Sequence, residues 1–265
     1  MSQAPTALGK ILGALGPAFE VAFRARGLAA GLVPGRARRE AAALEALCAR
    51  PRFAPLRRYR ELAPPAREAL EAAYARYVAG VSPAWMAVSL ELAVFLLVLA
   101  RALRPGRVVD LGSGFSSLVF RRYRQEAGPA PEVWSVDDSP GWLERTGEFL
   151  AAEGLPADGL ATWETFAADP PGGLDLVLHD LGSLACRRRT LPQALDLLGP
   201  DGVLVLDDAN YASVRRRAVR VLRARGLRVH RLGALTRDRY GRYALLAARA
   251  RKSGKCGPDP SGCPA

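Results

Sequence analysis

Residues 107–117, reading RVVDLGSGFSS, place an apolar strand, a carboxylate and two closely spaced glycines in one short stretch. No other stretch narrows the choice of fold as much. Val108 and Val109 suit a buried parallel strand, and Gly112 and Gly114 suit a turn at which a ligand approaches the backbone with no Cβ in the way. The following SSLVFRRYRQ has helical character, with Leu118, Val119 and Phe120 available for packing and Arg121, Arg122 and Arg124 expected in solvent. A strand, a glycine turn and a helix in that order put the turn at the carboxyl end of a strand, where open α/β sheets bind their ligands.

The turn departs from the dinucleotide-binding fingerprint. Gly112 and Gly114 match the first two glycines of G-x-G-x-x-G, but Ser117 stands where the third belongs. Asp110 would repel a pyrophosphate and would favour a ligand carrying an ammonium and a sulfonium.

Downstream, PEVWSVDDSPGWLERTGEFL reads as a second strand with Asp137 at its carboxyl end, then a helix opened by Ser139 and Pro140. A carboxylate at that point, 27 residues after Asp110, can accept both hydroxyls of a ribose. The alternative for Asp137 and Asp138 is a helix cap, with Asp138 the better suited. GLATWETF gives a short third strand. LDLVLHDLGS is a fourth, ending at His179 and Asp180, and the helix after it is expected to stop at Gly199 and Pro200. GVLVLDDAN is a fifth, ending at Asp207, Asp208 and Asn210. LRVHRLG and RYALLAARA are too close for a helical crossover and must form an antiparallel pair. The pattern predicts an α/β fold: a doubly wound, seven-stranded, mostly parallel sheet. Asp110, Asp137, Asp180 and Asp208 then converge on one rim, where a cationic ligand would offset their partial burial.

Before the glycine turn, residues 1–81 are rich in Ala, Leu and Arg, cut by prolines, and predict an N-terminal helical cap. This cap either covers one edge of the sheet or also closes over the substrate. SPAWMAVSLELAVFLLVLARAL predicts a helix with Ser82 as its cap and Pro83 at its first position. Its apolar run, 86–100, contains Glu91 and is shorter than the ~20 residues of a membrane span. The amino terminus has a poor charged region and cleavage pattern for a signal peptide, so the expected compartment is the cytoplasm. Residues 82–250 are expected to form the main domain and 251–265, Gly/Pro-rich and holding Cys256 and Cys263, a disordered tail.

The net charge is +12, and 35 of the 38 basic residues are arginines. Fifteen Lys/Arg fall between Tyr211 and Ala265 against Asp238 and Asp259. This is either a set of solvated arginine faces or a nucleic-acid footprint, and no aromatic-interleaved basic motif accompanies it. The four cysteines form no C-x-x-C, which argues against zinc.

The D-x-G-x-G turn at Asp110, with an acid at the end of the second strand, resembles the first two motifs of class I S-adenosylmethionine-dependent methyltransferases. The resemblance covers residues 83–250 and implies a Rossmann-like fold with the cofactor held by Asp110, Gly112, Ser113, Gly114, Ser116, Asp137 and Asp138. The entry to the preceding helix is similar to that of small-molecule O-methyltransferases, which adds Trp85, Met86 and Ser89. Glu164 is placed near the adenine and Asp180 near the methyl group. The fourth and fifth strand ends resemble those of catechol-type enzymes, implying Asp180, Asp208 and Asn210 around Mg²⁺ or Ca²⁺. Ala209, however, occupies the family's Asn position, and Asn210 is one residue late. The catalytic candidates are His179, Asp180 and Asp208, with His179 equally readable as a core residue. The expected activity is methyl transfer to a small-molecule oxygen, with a homodimer left open. The rival readings are an RNA methyltransferase, a non-catalytic S-adenosylmethionine-binding protein and a nicotinamide dehydrogenase.

Overall fold

The computed structural model describes residues 20–22, 24–25, 34–128 and 131–249. The expectations for a leader and for the Cys256/Cys263 tail fall outside them. Among the described residues α1 (Arg36–Cys48), a 3-10 helix (Pro51–Arg58), α2 (Tyr59–Gly80) and α3 (Leu90–Leu103) come first. Then follow β1 (Arg107–Leu111), α4 (Phe115–Ala127), β2 (Glu132–Asp137), α5 (Pro140–Ala152), β3 (Leu160–Thr162) and α6 (Trp163–Ala168). β4 (Leu174–His179), α7 (Leu184–Asp196), β5 (Leu198–Leu206), α8 (Ala212–Ala224), β6 (Leu227–Arg231), the single turn α9 (Gly233–Thr236) and β7 (Leu245–Arg249) complete the order.

The seven strands form one sheet in the order β3-β2-β1-β4-β5-β7-β6. Only β7 is reversed, antiparallel to both β5 and β6. β1 lies between β2 and β4, so the winding changes direction there and opens a crevice beyond the carboxyl ends of β1 and β4. Alternate residues serve opposite faces, as the pleat requires. Val108, Leu176, Leu178, Val203 and Val205 pack with α3 and α4. Val109, Val177, Leu204 and Leu206 pack with Leu191 and Leu195 of α7 and Leu222 of α8. The strands read as unbroken apolar runs because both faces are covered.

Phe53, Leu56, Leu70 and Tyr77 of the N-terminal helices join the same core as α3. α3 is buried from Leu92 through Ala100 and is apolar on every side, as an internal helix should be. No described helix is long and apolar enough to cross a membrane. α8 buries Val214, Ala218 and Leu222, while Arg216, Arg217, Arg220 and Arg223 face outward.

Four local expectations need correction. The helix expected to start at Ser82 and Pro83 starts at Leu90, and its cap is Ser89, whose Oγ accepts from Leu92 N at 3.1 Å. Residues 83–88 instead run as turns across the sheet rim. α7 stops at Asp196 rather than at Gly199, because Leu198 already pairs with Leu174 and residues 199–201 bulge out of the ladder before Val203 pairs with Leu176. The third strand ends at Thr162, whose Oγ1 accepts from Thr165 N at 3.2 Å and starts α6.

Arg121, expected in solvent, is fully buried. Its guanidinium reaches Pro156 O at 2.7 Å, Ser117 O at 3.2 Å, Ser135 Oγ at 2.8 Å and Asp158 O at 2.5 Å. One side chain thereby ties α4, β2 and the α5–β3 connection together. Arg121→Met should lower stability by about 3 kcal/mol, since it strands several buried acceptors. Urea unfolding with an unchanged m-value would register the loss as one of stability.

Candidate functional site

The crevice floor is the turn after β1. Gly112 N donates to Val136 O at 2.7 Å and Asp180 N donates to Leu111 O at 2.6 Å, which pins the turn between β2 and β4. Gly112 has φ +108°, and a Cβ there would lie 2.6 Å from the Asp180 carbonyl oxygen. At Gly114, φ is +156°, and a Cβ would lie 2.8 Å from the Tyr77 hydroxyl oxygen. Neither position tolerates a side chain, so bare backbone faces the crevice.

Beneath the turn lies Asp110, with no solvent exposure. Its Oδ2 accepts from Ser117 Oγ at 2.7 Å and Ser116 Oγ at 3.1 Å. Its Oδ1 is buried with no hydrogen-bond partner among the described residues. Burial pushes this carboxyl up to about 7, against the pull of the two serine hydroxyls. Ser117, the residue that broke the dinucleotide pattern, also accepts from Gly114 N at 3.1 Å. Its hydroxyl does what a glycine there could not: it links the turn to the acid below.

Asp137 forms one lip. Its Oδ2 accepts from Ser113 N at 2.9 Å and Ser113 Oγ at 3.3 Å, and its Oδ1 accepts from Ser139 N at 3.0 Å. A carboxylate has about four acceptor sites, so room remains for ligand hydroxyls. Burial raises its pKa to about 6, with the Ser139 amide pulling the other way. Trp142 Nε1 donates to Ser113 O at 2.7 Å and presents its ring to the crevice.

The crevice holds about 270 Å³ and is lined by Tyr77, Met86, Gly112, Ser113, Gly114, Ser116, Asp137, Trp142, Asp180 and Arg187, among others. Of the expected cofactor residues, Met86, Gly112, Ser113, Gly114, Ser116, Asp137 and Asp180 therefore line it. Ser89 does not: its hydroxyl caps α3. Asp110 lies under the floor. Asp138 is exposed and leans over Gly182, while the cap of α5 is Ser139, whose Oγ accepts from Trp142 N at 3.3 Å. Glu164 is exposed in the first turn of α6.

His179 points away from the crevice. It is fully buried, its Nε2 lies 3.0 Å from Thr190 Oγ1 of α7, and burial drives its pKa down to about 3. A ring held neutral on the α7 face of the sheet has no access to a reacting group. The alternation along β4 sends Asp180 the other way.

At the far side of the crevice, Arg187 Nη1 lies 2.6 Å from Asp180 Oδ1 and 2.9 Å from Asp208 Oδ2. Arg187 Nε also donates to Gly182 O at 3.3 Å. Asp207 is buried, and its Oδ1 accepts from Asp208 N at 2.7 Å. Burial and the neighbouring carboxylates push Asp207 up, and burial pushes Asp180 up against the pull of Arg187. The metal set expected from Asp180, Asp208 and Asn210 does not fit. A guanidinium already sits between the two aspartates, and among the described residues no three His, Cys, Asp or Glu side chains are placed to hold an ion.

Arg242 holds the rim. It donates to Ala84 O, Trp85 O and Ala87 O at 2.9–3.0 Å and to Asp238 Oδ2 at 2.7 Å. The segment that carries Met86 is thus stapled to the β6–β7 connection.

Sequence reasoning missed Tyr77, Trp142, Arg187 and Arg242, and named Asp207 only as a strand end. Arg187 was hidden in the run Arg187–Arg188–Arg189, of which helical geometry turns one member inward. Asp207 was adjacent to a named candidate. Nothing in the local pattern of Tyr77 or Arg242 marked them.

A larger cavity of about 560 Å³, lined by Arg50, Arg52, Arg228, Arg249 and Asp201, lies at the opposite ends of β5 and β6, remote from the crevice.

Compared with known proteins, the chain matches no protein-family model and no curated protein. It does match solved structures. Cofactor-bound Rv0187 from MTB is 26% identical over 70% of this chain and 90% of that one, with a TM-score of 0.54. The O-methyltransferase TomG from Streptomyces achromogenes, solved with SAM, is 20% identical over 69% and 90%, with a TM-score of 0.56. An O-methyltransferase from Bacillus cereus, solved with SAH, is 16% identical over 68% and 89%, also with a TM-score of 0.56. At these identities the two O-methyltransferases speak to the fold. The chain has the fold of the class I S-adenosylmethionine-dependent methyltransferases.

Gly112→Ala should destabilise the protein by about 2 kcal/mol or more, because both its φ and the Asp180 carbonyl oppose a Cβ. A Cβ on Gly141 meets nothing within 4 Å. Gly141→Ala should therefore leave the thermal unfolding midpoint near that of the parent, and a difference scan of the two variants checks the contrast.

Proposed function

We propose that this chain is an S-adenosylmethionine-dependent methyltransferase acting on an oxygen of a small-molecule acceptor. One observation carries the reading: a buried carboxylate with an unpartnered oxygen, Asp110, lies under a turn that two glycines keep open, with Asp137 beside it. Such a cradle rewards a cation and disfavours a pyrophosphate. The named relatives of the same fold, two of them O-methyltransferases solved with SAM or SAH, support it. In this reading residues 82–250 are the catalytic unit and residues 1–81 a cap that contributes Tyr77 to the crevice.

When bound, S-adenosylmethionine supplies an electrophilic methyl group on a sulfonium. The chain's own residues do the rest. Asp137, held in place by the Ser113 and Ser139 amides, would accept the ribose hydroxyls. Tyr77, Met86 and Trp142 wall the pocket. Asp180, with its carboxyl pushed up by burial and its side chain on the crevice, is the group suited to take the acceptor's proton near neutral pH. Holding acceptor and methyl in line can supply about 7–11 kcal/mol of the barrier reduction, with no covalent intermediate.

Asp137→Ala should weaken S-adenosylmethionine binding about 10- to 100-fold, since each hydrogen bond to a charged group contributes about 1.5–3 kcal/mol. Calorimetric titration measures this directly, and unchanged affinity would remove the cofactor assignment. Incubation with labelled S-adenosylmethionine and a panel of small hydroxyl compounds tests the transfer. Label passing only to RNA would favour the nucleic-acid reading instead.

A further inference from the structure

The acceptor side of the crevice is built around a side chain that no part of the cofactor reading requires. Arg187 projects from the first turns of α7, and its side chain is only 11% exposed. Nη1 is shared between Asp180 and Asp208, and Nε is tied to the Gly182 carbonyl. Nη2 makes no hydrogen bond to a described residue, and Arg187 lines the crevice. Asp208, the partner on β5's exit, has φ +55°, a left-handed conformation unusual for a residue with a side chain. The backbone there is held so that its carboxylate meets the guanidinium.

A divalent cation bound by Asp180 and Asp208 would need their oxygens at about 2.0–2.6 Å from one point between them. That space belongs to Nη1. Nor is the guanidinium easily displaced: it is planar, always charged, and anchored at three positions from two directions. Expelling it would bury or strand a cation next to Arg242, whose charge already bears on Asp207 and Asp208.

We propose that Arg187 is the resident cation of this site, taking the place of a divalent metal ion and leaving Nη2 to receive an acceptor oxygen that carries or acquires negative charge. This rests on the methyltransferase reading for the acceptor but not for the cation. The site then needs no metal. It selects acceptors with an acidic hydroxyl or a carboxylate, because a guanidinium stabilises a developing oxyanion and donates to it in a fixed direction.

The test is Mn²⁺ titration of the whole chain followed by electron paramagnetic resonance, with and without S-adenosylhomocysteine. The wild-type protein should bind no stoichiometric Mn²⁺ below millimolar concentration. Arg187→Met, which keeps the stem and removes the charge, should bind one ion per chain at least about tenfold more tightly. Arg187→Lys should behave like wild type, and Arg187→Met combined with Asp180→Asn should lose the ion again. One tightly bound Mn²⁺ per wild-type chain would overturn the proposal. So would an Arg187→Met protein that binds S-adenosylhomocysteine normally yet takes up no more Mn²⁺ than wild type. The wild-type titration decides the question even where the variant fails to fold. Failure to bind S-adenosylhomocysteine at all would count against the cofactor reading and leave the Mn²⁺ result standing by itself.

Discussion

Asp110 is buried completely at the end of the central strand, with one oxygen satisfied by Ser116 and Ser117 and the other without a hydrogen-bond partner among the described residues. An apolar strand delivers it there, the sheet registers on both sides fix its height, and the glycine turn lies above it. A carboxylate in that position is costly, and burial raises its pKa. The surrounding design follows from this. Hydroxyls are placed at 116 and 117 where a dinucleotide site would have a small residue, and Asp137 stands beside the turn.

The far side of the crevice meets the same difficulty differently. Asp180, Asp207 and Asp208 crowd the ends of β4 and β5, and the chain supplies two guanidiniums, the buried Arg242 and the largely covered Arg187, to meet them. Arg242 also fixes residues 84–87 through three carbonyls, so electrostatic compensation and pocket shape are set by one side chain. The asymmetry between the two sides is functional in the proposed reading. The unmet acid waits for a cofactor, and the met acids hold a cation ready for the acceptor.

The fold was legible because its signals are strong and local: apolar runs of strand length, each closed by a turn residue and followed by helical spacing, with two final runs too close to cross over. The rim of the site was legible for the same reason, since strand ends can be counted. What escaped was set by tertiary contact. Arg121 reads as one of three solvent arginines, yet rotation of α4 carries it under the sheet edge. His179 and Asp180 are adjacent, and only the sheet's pleat decides which one sees the crevice. Ser89 resembled a ligand contact, but the chain uses its hydroxyl to start α3. The expected metal set failed because its would-be centre is filled by a residue from a different helix, which no spacing along β4 or β5 could reveal.

The central claim is that a cationic cofactor forces ionisation of carboxyls that burial keeps partly protonated, Asp110 near 7 and Asp137 near 6. Binding a cation favours the ionised forms, lowers both pKa values, and so must release protons between about pH 5.5 and 7. Titrating S-adenosylmethionine calorimetrically at pH 6.5 in buffers of different ionisation enthalpy counts those protons. The account predicts net release of a substantial fraction of a proton per site at that pH, where the ligand's own amino group is already protonated. Binding with no release at pH 6.5, or with uptake, would contradict it, as would the absence of binding.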